Sequence, residues 1–180
     1  MRTTLLKFVL LFSLVLLNTS LSTGQIQYNN IRFKQLSIAE GLPHNTINAI
    51  TQDNHGFIWF GTRNGLNKFN GNSFEVYWNH ADDPHSISSN IINCMAEDAE
   101  GNLWIGTENG LNRLDKNKNE FKRYHINQQE NKDKNKITSL CLDQQGTLWV
   151  GAASEGLFAY TPQGDSLKNI STKELKGNWV

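Results

Sequence analysis

The sequence predicts an all-β protein made of β-propeller blades, and a repeat of 45 residues is the main reason. Each repeat contains four short strand patterns and no helical period, and four strands every 45 residues are typical of a propeller blade. The residues that recur at this interval are Asp53, Asp98 and Asp143; Gly56, Gly101 and Gly146; Trp59, Trp104 and Trp149; and Gly61, Gly106 and Gly151. We therefore expect about three four-stranded antiparallel blades of an incomplete propeller, after a signal peptide.

Residues 1–24 have the pattern of a secretory signal peptide. Arg2 and Lys7 precede an apolar run over residues 8–17, and Ser22-Thr23-Gly24 is a suitable cleavage site. Ten apolar residues form a helix of about 15 Å, which is too short for a hydrocarbon core of ~30 Å. The alternative is an uncleaved anchor. Because no second long apolar run follows, we expect an exported chain with no membrane span beyond the signal peptide.

The remainder divides into a lead-in and three blades. Residues 25–46 form the lead-in. Blade 1 covers residues 47–90, with strands predicted at 47–52, 57–62, 65–69 and 74–78. Blade 2 covers residues 91–135, and blade 3, with a truncated end, covers residues 136–180.

The repeated residues are best explained as structural. An Asp-x-x-Gly segment suits a tight turn, since Gly tolerates positive φ and Asp bonds its own turn. A calcium site needs about six or more clustered oxygens, whereas each blade has one such carboxylate. Each recurring Trp lies in an apolar run, which favours a core position over stacking on a sugar ring. The second glycine of each repeat indicates close approach of backbone from elsewhere.

Composition excludes several classes of function. Lys+Arg and Asp+Glu both number 17, so a nucleic-acid partner is not expected. Cys94 and Cys141 are too few for a disulfide framework or a four-thiolate zinc site. His80, Asp82, Asp83 and His85 form the one cluster with metal-ligand chemistry, and a solvated loop explains it better. We predict no metal, no cofactor and no catalytic residue in this chain.

A binding surface is predicted at one end of the blades. In an antiparallel meander, the second hairpins and the connections between blades lie at the same end, and these loops differ between repeats while the scaffold stays constant. Trp78, at a strand end beside a polar loop, is a better candidate for stacking on a ligand than the recurring tryptophans, although packing is the favoured alternative for it as well. The candidate ligand-binding residues are Arg63, Asn64, Trp78, Glu108, Asn109 and Glu155.

The segments Asp53 to Phe69 and Asp98 to Leu114 resemble the two-component regulator propeller repeat. The third repeat departs from the pattern, with Ala152 in place of Thr and one extra residue before Gly156. This resemblance implies the periplasmic sensor region of a hybrid two-component histidine kinase that senses oligosaccharides and regulates polysaccharide-utilisation genes. It also implies a lone outer strand at Ile31–Leu36 within the lead-in, and a parent protein anchored in the inner membrane.

Propellers close with roughly four to eight blades, so we expect this chain to be the N-terminal piece of a longer protein. Its partners are then the remaining blades or a second copy, with an oligosaccharide as the ligand. No kinase motif occurs within the 180 residues. Two alternatives stay open: a secreted propeller scaffold that oligomerises, and a propeller lyase.

Overall fold

A computed structural model describes residues 32–126, 135–161 and 164–170, and these residues form three four-stranded antiparallel sheets. The first sheet contains β1 (Ile47–Gln52), β2 (Ile58–Thr62), β3 (Leu66–Phe69) and β4 (Phe74–Tyr77). The second contains β5 (Ile92–Glu97), β6 (Leu103–Thr107), β7 (Gly110–Asp115) and β8 (Glu120–Tyr124). The third contains β9 (Ile137–Leu142), β10 (Leu148–Ala152), β11 (Gly156–Thr161) and β12 (Ser166–Asn169). The predicted fold class is confirmed.

The strands of each sheet follow one another in chain order, so every sheet is a simple meander. The first strands β1, β5 and β9 lie side by side, which makes them the inner strands of successive blades. The last strands β4, β8 and β12 form the outer edges. The second hairpins and the connections between sheets therefore meet at one end, and the Asp-x-x-Gly turns lie at the other.

The lead-in differs from the prediction. Residues 32–36 belong to no sheet, and the side chain of Phe33 is 94% exposed. Because a strand needs a neighbour for its backbone hydrogen bonds, the predicted lone strand at Ile31–Leu36 does not form in its described part. A 3₁₀ helix, Ile38–Glu40, follows instead and is closed by a capping box between Ser37 and Glu40. The predicted signal peptide, residues 1–24, lies outside the described residues.

Two hydrophobic cores lie between the sheets. One joins Trp59 and Leu66 of the first sheet to Ile92 and Ile105 of the second. The other joins Trp104 of the second sheet to a group from the third sheet: Ile137, Leu148, Val150, Phe158 and Tyr160. The middle strand β6 is accordingly covered on both faces, as its continuous apolar sequence predicts. A third cluster, formed by Leu42, Phe60 and Phe69, covers the other face of β2.

The tryptophans are not equally buried. Trp59 and Trp104 are each 1% exposed, whereas Trp149 is half-buried. The first two pack towards the following sheet, and among the described residues no sheet follows the third. The predicted core position of the recurring tryptophan is therefore observed in two of the three repeats.

In the first two repeats, the second glycine makes room for a side chain of the next sheet rather than for backbone. A Cβ on Gly61 would lie 2.6 Å from Ile92 Cγ2, and a Cβ on Gly106 would lie 2.6 Å from Ile137 Cγ2. Each isoleucine belongs to the first strand of the next sheet and is fully buried. The sequence-based expectation of a backbone approach is corrected: in the first two repeats the glycine packs against the recurring isoleucine of the next sheet.

Candidate functional site

A polar groove lies at the end where the second hairpins meet the connections between sheets. It runs from the first sheet to the start of the third and is lined by Thr46, Ile47, Asn48, Arg63, Ile91, Asn93, Glu108 and Lys136. The groove thus contains two of the six predicted ligand-binding residues, Arg63 and Glu108. They occupy the same repeat position, the first residue of the second hairpin.

Glu108 is held in place by two neighbours. Its Oε1 accepts a hydrogen bond of 3.2 Å from the Asn93 amide and lies 3.0 Å from Lys136 Nζ. The Asn93 amide also donates to the backbone oxygen of Ile137 at 2.9 Å, and Asn48 makes the equivalent bond of 2.7 Å to Ile92. These asparagines connect the inner strands of successive sheets, so the floor of the groove is stiffened by hydrogen bonds between blades.

A second polar depression adjoins the groove and shares Ile91 and Glu108 with it. Its remaining lining residues carry amide and hydroxyl groups: Asn79, Ser88, Ser89, Asn90 and Asn109. The side-chain amide of Asn109, another predicted ligand residue, donates a hydrogen bond to the backbone oxygen of Ser88 at 3.4 Å. Amides and hydroxyls are the groups that recognise sugar hydroxyls, because they both donate and accept hydrogen bonds.

The other three predicted residues are more scattered. Trp78 is 42% exposed and lies against Gly65, and Gly65 belongs to the same turn as Arg63 and Asn64. The backbone N–H of Asn64 donates to Thr62 Oγ1 at 3.0 Å, while the residue itself is exposed. Glu155 lies in the second hairpin of the third sheet and lines neither depression. The structure therefore brings Arg63, Glu108 and Asn109 together and leaves Glu155 apart.

At the opposite end, the recurring aspartates connect each turn to its tryptophan. One carboxylate oxygen accepts the indole N–H, at 2.9 Å for Asp53, 2.7 Å for Asp98 and 2.8 Å for Asp143. The other oxygen accepts backbone N–H groups of the same turn. At Asp143 the Trp149 hydrogen bond lowers the pKa of the carboxyl below its ordinary value. The structural interpretation of these residues accounts for all of these contacts.

Lys116 adds a bridge between the first two sheets that sequence reasoning missed. Its Nζ lies 3.2 Å from Asp53 Oδ2 and 2.8 Å from Glu97 Oε1. Burial acts to raise the pKa of Asp53, but the hydrogen bonds from Trp59 and Lys116 outweigh it and the pKa is lowered. Other repeats have no lysine at this position, so periodicity gives no indication of the bridge.

A second cluster connects the outer parts of the second and third sheets. Asp165 Oδ1 accepts hydrogen bonds from the hydroxyls of Tyr124 at 2.7 Å and Tyr160 at 3.0 Å, and Lys122 pairs with Oδ2. The Lys122 and Tyr124 hydrogen bonds lower the pKa of Asp165 to about 2. This arrangement is an interface between the outer strands of neighbouring sheets.

The loop at 79–89 is held against β8 by hydrogen bonds. Arg123 donates to the backbone oxygens of Ser86 at 2.7 Å and Asp83 at 2.8 Å, and the Phe121 N–H donates to the backbone oxygen of His85 at 2.8 Å. The loop thereby covers the outer edge of β8, which is a common way to protect an edge strand. Within the described part of the chain, no group of three His, Cys, Asp or Glu side chains could hold a metal ion.

Both cysteines are free thiols. Cys94 lies in an inner strand, and burial raises the pKa of its thiol to about 12. Cys141 is exposed at its place in β9. A thiol of such a high pKa is protonated at neutral pH and is a poor nucleophile, so the geometry gives Cys94 a packing role.

Comparison with known proteins identifies the repeat. The fold, three successive four-stranded meanders with inner strands side by side, defines a β-propeller repeat protein. The model of the two component regulator propeller family matches residues 41–64, 86–109 and 132–154, one segment for each repeat. One segment in each of the three repeats is therefore similar to the two-component regulator propeller repeat.

Relatives connect these repeats to signalling proteins. Histidine kinase P4 of Formosa agariphila is 39% identical over 77 residues, which are 43% of this chain and 6% of that protein. The extracellular domain of a hybrid two-component system from B. thetaiotaomicron superposes with a TM-score of 0.69 at 29% identity. The superposition covers 78% of this chain and 20% of that domain, so this chain spans a small part of both relatives.

A lyase shares the fold alone. Virginiamycin B lyase from Staphylococcus aureus superposes with a TM-score of 0.52 at 18% identity, over 68% of this chain and 40% of the lyase.

None of the helices in the described residues has the length and apolarity needed to cross a membrane.

Proposed function

We propose that this chain is part of the periplasmic, ligand-sensing β-propeller of a hybrid two-component sensor histidine kinase. The observation that carries the proposal is the likeness to the extracellular domain of a hybrid two-component system, at 29% identity over 78% of the chain. The match to a histidine kinase at 39% identity supports the same assignment. The predicted signal peptide at residues 1–24 supports export to the periplasm.

The ligand of this sensor is an oligosaccharide, and its detection regulates polysaccharide-utilisation genes. The chemistry of the groove and its adjoining depression supports this class of ligand, since amides and hydroxyls dominate the lining. The half-exposed Trp78, in contact with the turn that carries Arg63, offers an aromatic face to a sugar ring. The surrounding sheets give these loops a rigid frame.

The parent protein of this sensor is anchored in the inner membrane and has its kinase outside these 180 residues. The chain itself binds and does not catalyse. Its role is then to shift the conformational equilibrium of a larger receptor, because the ligand binds one receptor state more tightly than the other. This requires ligand binding but no turnover.

Calorimetric titration of the purified chain with a panel of trisaccharides tests the proposal. The panel includes maltotriose, xylotriose, laminaritriose and the trimer of galacturonate, and chromatography of each mixture afterwards detects any cleavage. Binding of at least one sugar without cleavage is expected. Cleavage of a bound sugar would favour the lyase alternative, and the absence of binding across neutral and acidic oligosaccharides would contradict the sensing role.

A further inference from the structure

Arg63 differs from its counterparts in the other repeats in a way that points to a ligand. The equivalent residue is Glu108 in the second repeat and Ala153 in the third. Arg63 is exposed, lies at the turn between β2 and β3, and lines the polar groove. Within the described residues it has no ion pair. A scaffold role therefore does not account for a cationic side chain at this place.

The other charges of the groove balance each other. Lys136 Nζ lies 3.0 Å from Glu108 Oε1, and both side chains are partly shielded, with 42% and 32% exposure. The Asn93 amide donates to the same carboxylate oxygen. Arg63 is thus the unmatched charge among the described lining residues, and the groove carries one net positive charge.

We propose that Arg63 anchors an acidic oligosaccharide through a carboxylate or sulfate group on one of its sugar rings. This inference rests on the proposed sensing function and specifies its ligand class. A guanidinium presents a planar fork of N–H donors that matches the two oxygens of a carboxylate or sulfate. Such a pair in a partly enclosed groove is stronger than a hydrogen bond between neutral groups.

The neighbouring groups suit the rest of an acidic sugar. Thr46 and Asn48 lie on the first-sheet side of the groove with Arg63 and carry a hydroxyl and an amide. The amide nitrogen of Asn48 is committed to the Ile92 oxygen at 2.7 Å, which fixes the side chain. A fixed amide oxygen and a hydroxyl can bond the ring hydroxyls while Arg63 bonds the acidic group.

The test measures binding of three probes to the full chain by calorimetry. The probes are the galacturonate trimer, its neutral methyl ester, and a sulfated carrageenan disaccharide. Arg63→Gln removes the charge, and Arg63→Lys keeps the charge but removes the fork. We expect the galacturonate or sulfated probe to bind, the ester to bind at least about tenfold more weakly, and Arg63→Gln to weaken the acidic probe by a similar factor. Comparison of the two acidic probes distinguishes a carboxylate ligand from a sulfate ligand.

Lys118→Gln is the matched control. It removes one positive charge from the third hairpin of the second sheet, at the end away from the groove, where Lys118 forms only an exposed ion pair with Asp115. Its affinity should equal that of the wild type, and circular dichroism confirms that each variant folds. Equal binding of acid and ester, equal losses in Arg63→Gln and Lys118→Gln, or failure of both acidic probes would each overturn the proposal. If the acidic probes fail while maltotriose binds, the sensing function survives and only the acidic anchor is wrong.

Discussion

Replacement of Gly106 by alanine should weaken the packing of the second sheet against the third. A Cβ at this position would lie 2.4 Å from Cys94 Sγ and 2.6 Å from Ile137 Cγ2. Nonbonded carbon atoms prefer separations of about 3.5–4.0 Å, so the new methyl group is too close by roughly 1 Å to two neighbours. Both neighbours lie on inner strands within the sheets, where backbone pairing limits their movement.

Overpacking of this kind typically costs about 1–3 kcal/mol. For a folded unit of about 150 residues, a loss of 2 kcal/mol lowers Tm by roughly 4–8 °C. Ile137→Ala should itself destabilise by about 2–5 kcal/mol because it empties a fully buried site. It also removes the Cγ2 atom that meets the new Cβ, so the double variant should lose less stability than the sum of the single variants.

Urea denaturation followed by tryptophan fluorescence measures each step of this cycle. Gly71→Ala serves as the control, because a Cβ there meets no atom within 4 Å and only its positive φ of 94° opposes the change. A Gly106→Ala protein no less stable than the wild type, or strict additivity with Ile137→Ala, would refute the proposed packing of glycine against isoleucine.

Three further predictions concern polar contacts. In the Asp98→Asn variant, one of the two carboxylate oxygens that accept hydrogen bonds from the turn and from Trp104 Nε1 is lost. The variant should therefore lose about 1–3 kcal/mol of unfolding free energy, and an unchanged urea midpoint would contradict this. Arg123→Ala should release the loop at 79–89 and speed its cleavage in limited proteolysis, and equal cleavage rates would show that the arginine does not hold it. The lowered pKa of Asp165, about 2, means that its contacts stabilise the fold above the ordinary carboxyl pKa of about 3.9 and fail as pH falls towards 2. Asp165→Asn should therefore reduce the pH dependence of Tm between pH 4 and 2, and the same slope as the wild type would count against that role.

The sequence was sufficient to predict the strands because each repeat gives the same pattern three times. Predicted strands at 47–52 and 74–78 are observed at Ile47–Gln52 and Phe74–Tyr77. The sequence did contain a signal for the Asp-to-Trp hydrogen bonds: the spacing between Asp53 and Trp59 is six residues, and it is the same in the later repeats. Because hydrogen bonds within the turn were enough to explain the recurring aspartate, the hydrogen bond from the tryptophan indole to its second carboxylate oxygen was not predicted.

Contacts unique to one repeat could not be predicted from periodicity. In the second sheet, Asn112 Oδ1 accepts from the Ser88 N–H at 2.9 Å. The equivalent oxygen of Asn67 is buried without a partner, and the first repeat has Pro43, which has no N–H, at the position of Ser88. The prediction of a lone strand was wrong over its described residues, 32–36, for a related reason: an edge strand depends on a neighbour that its own sequence does not specify.

The candidate site was predicted in outline. Meander topology placed the variable loops at one end, and the structure brings Arg63 and Glu108 into one groove there. The partners of Glu108 and the interblade bonds of Asn48 and Asn93 depend on how sheets face each other. That relation between distant residues is not encoded in the local strand pattern.

The sensing role is tested most directly in the organism that makes this protein. The measurement compares transcripts of its polysaccharide-utilisation genes, with single purified polysaccharides as carbon source, in the wild type and in a strain whose gene lacks the codons for residues 47–169. The account predicts that at least one gene cluster is induced by its polysaccharide in the wild type and is not induced in the deletion strain, while other clusters respond normally. Identical induction of every cluster in both strains would contradict the assignment of these repeats to a glycan sensor.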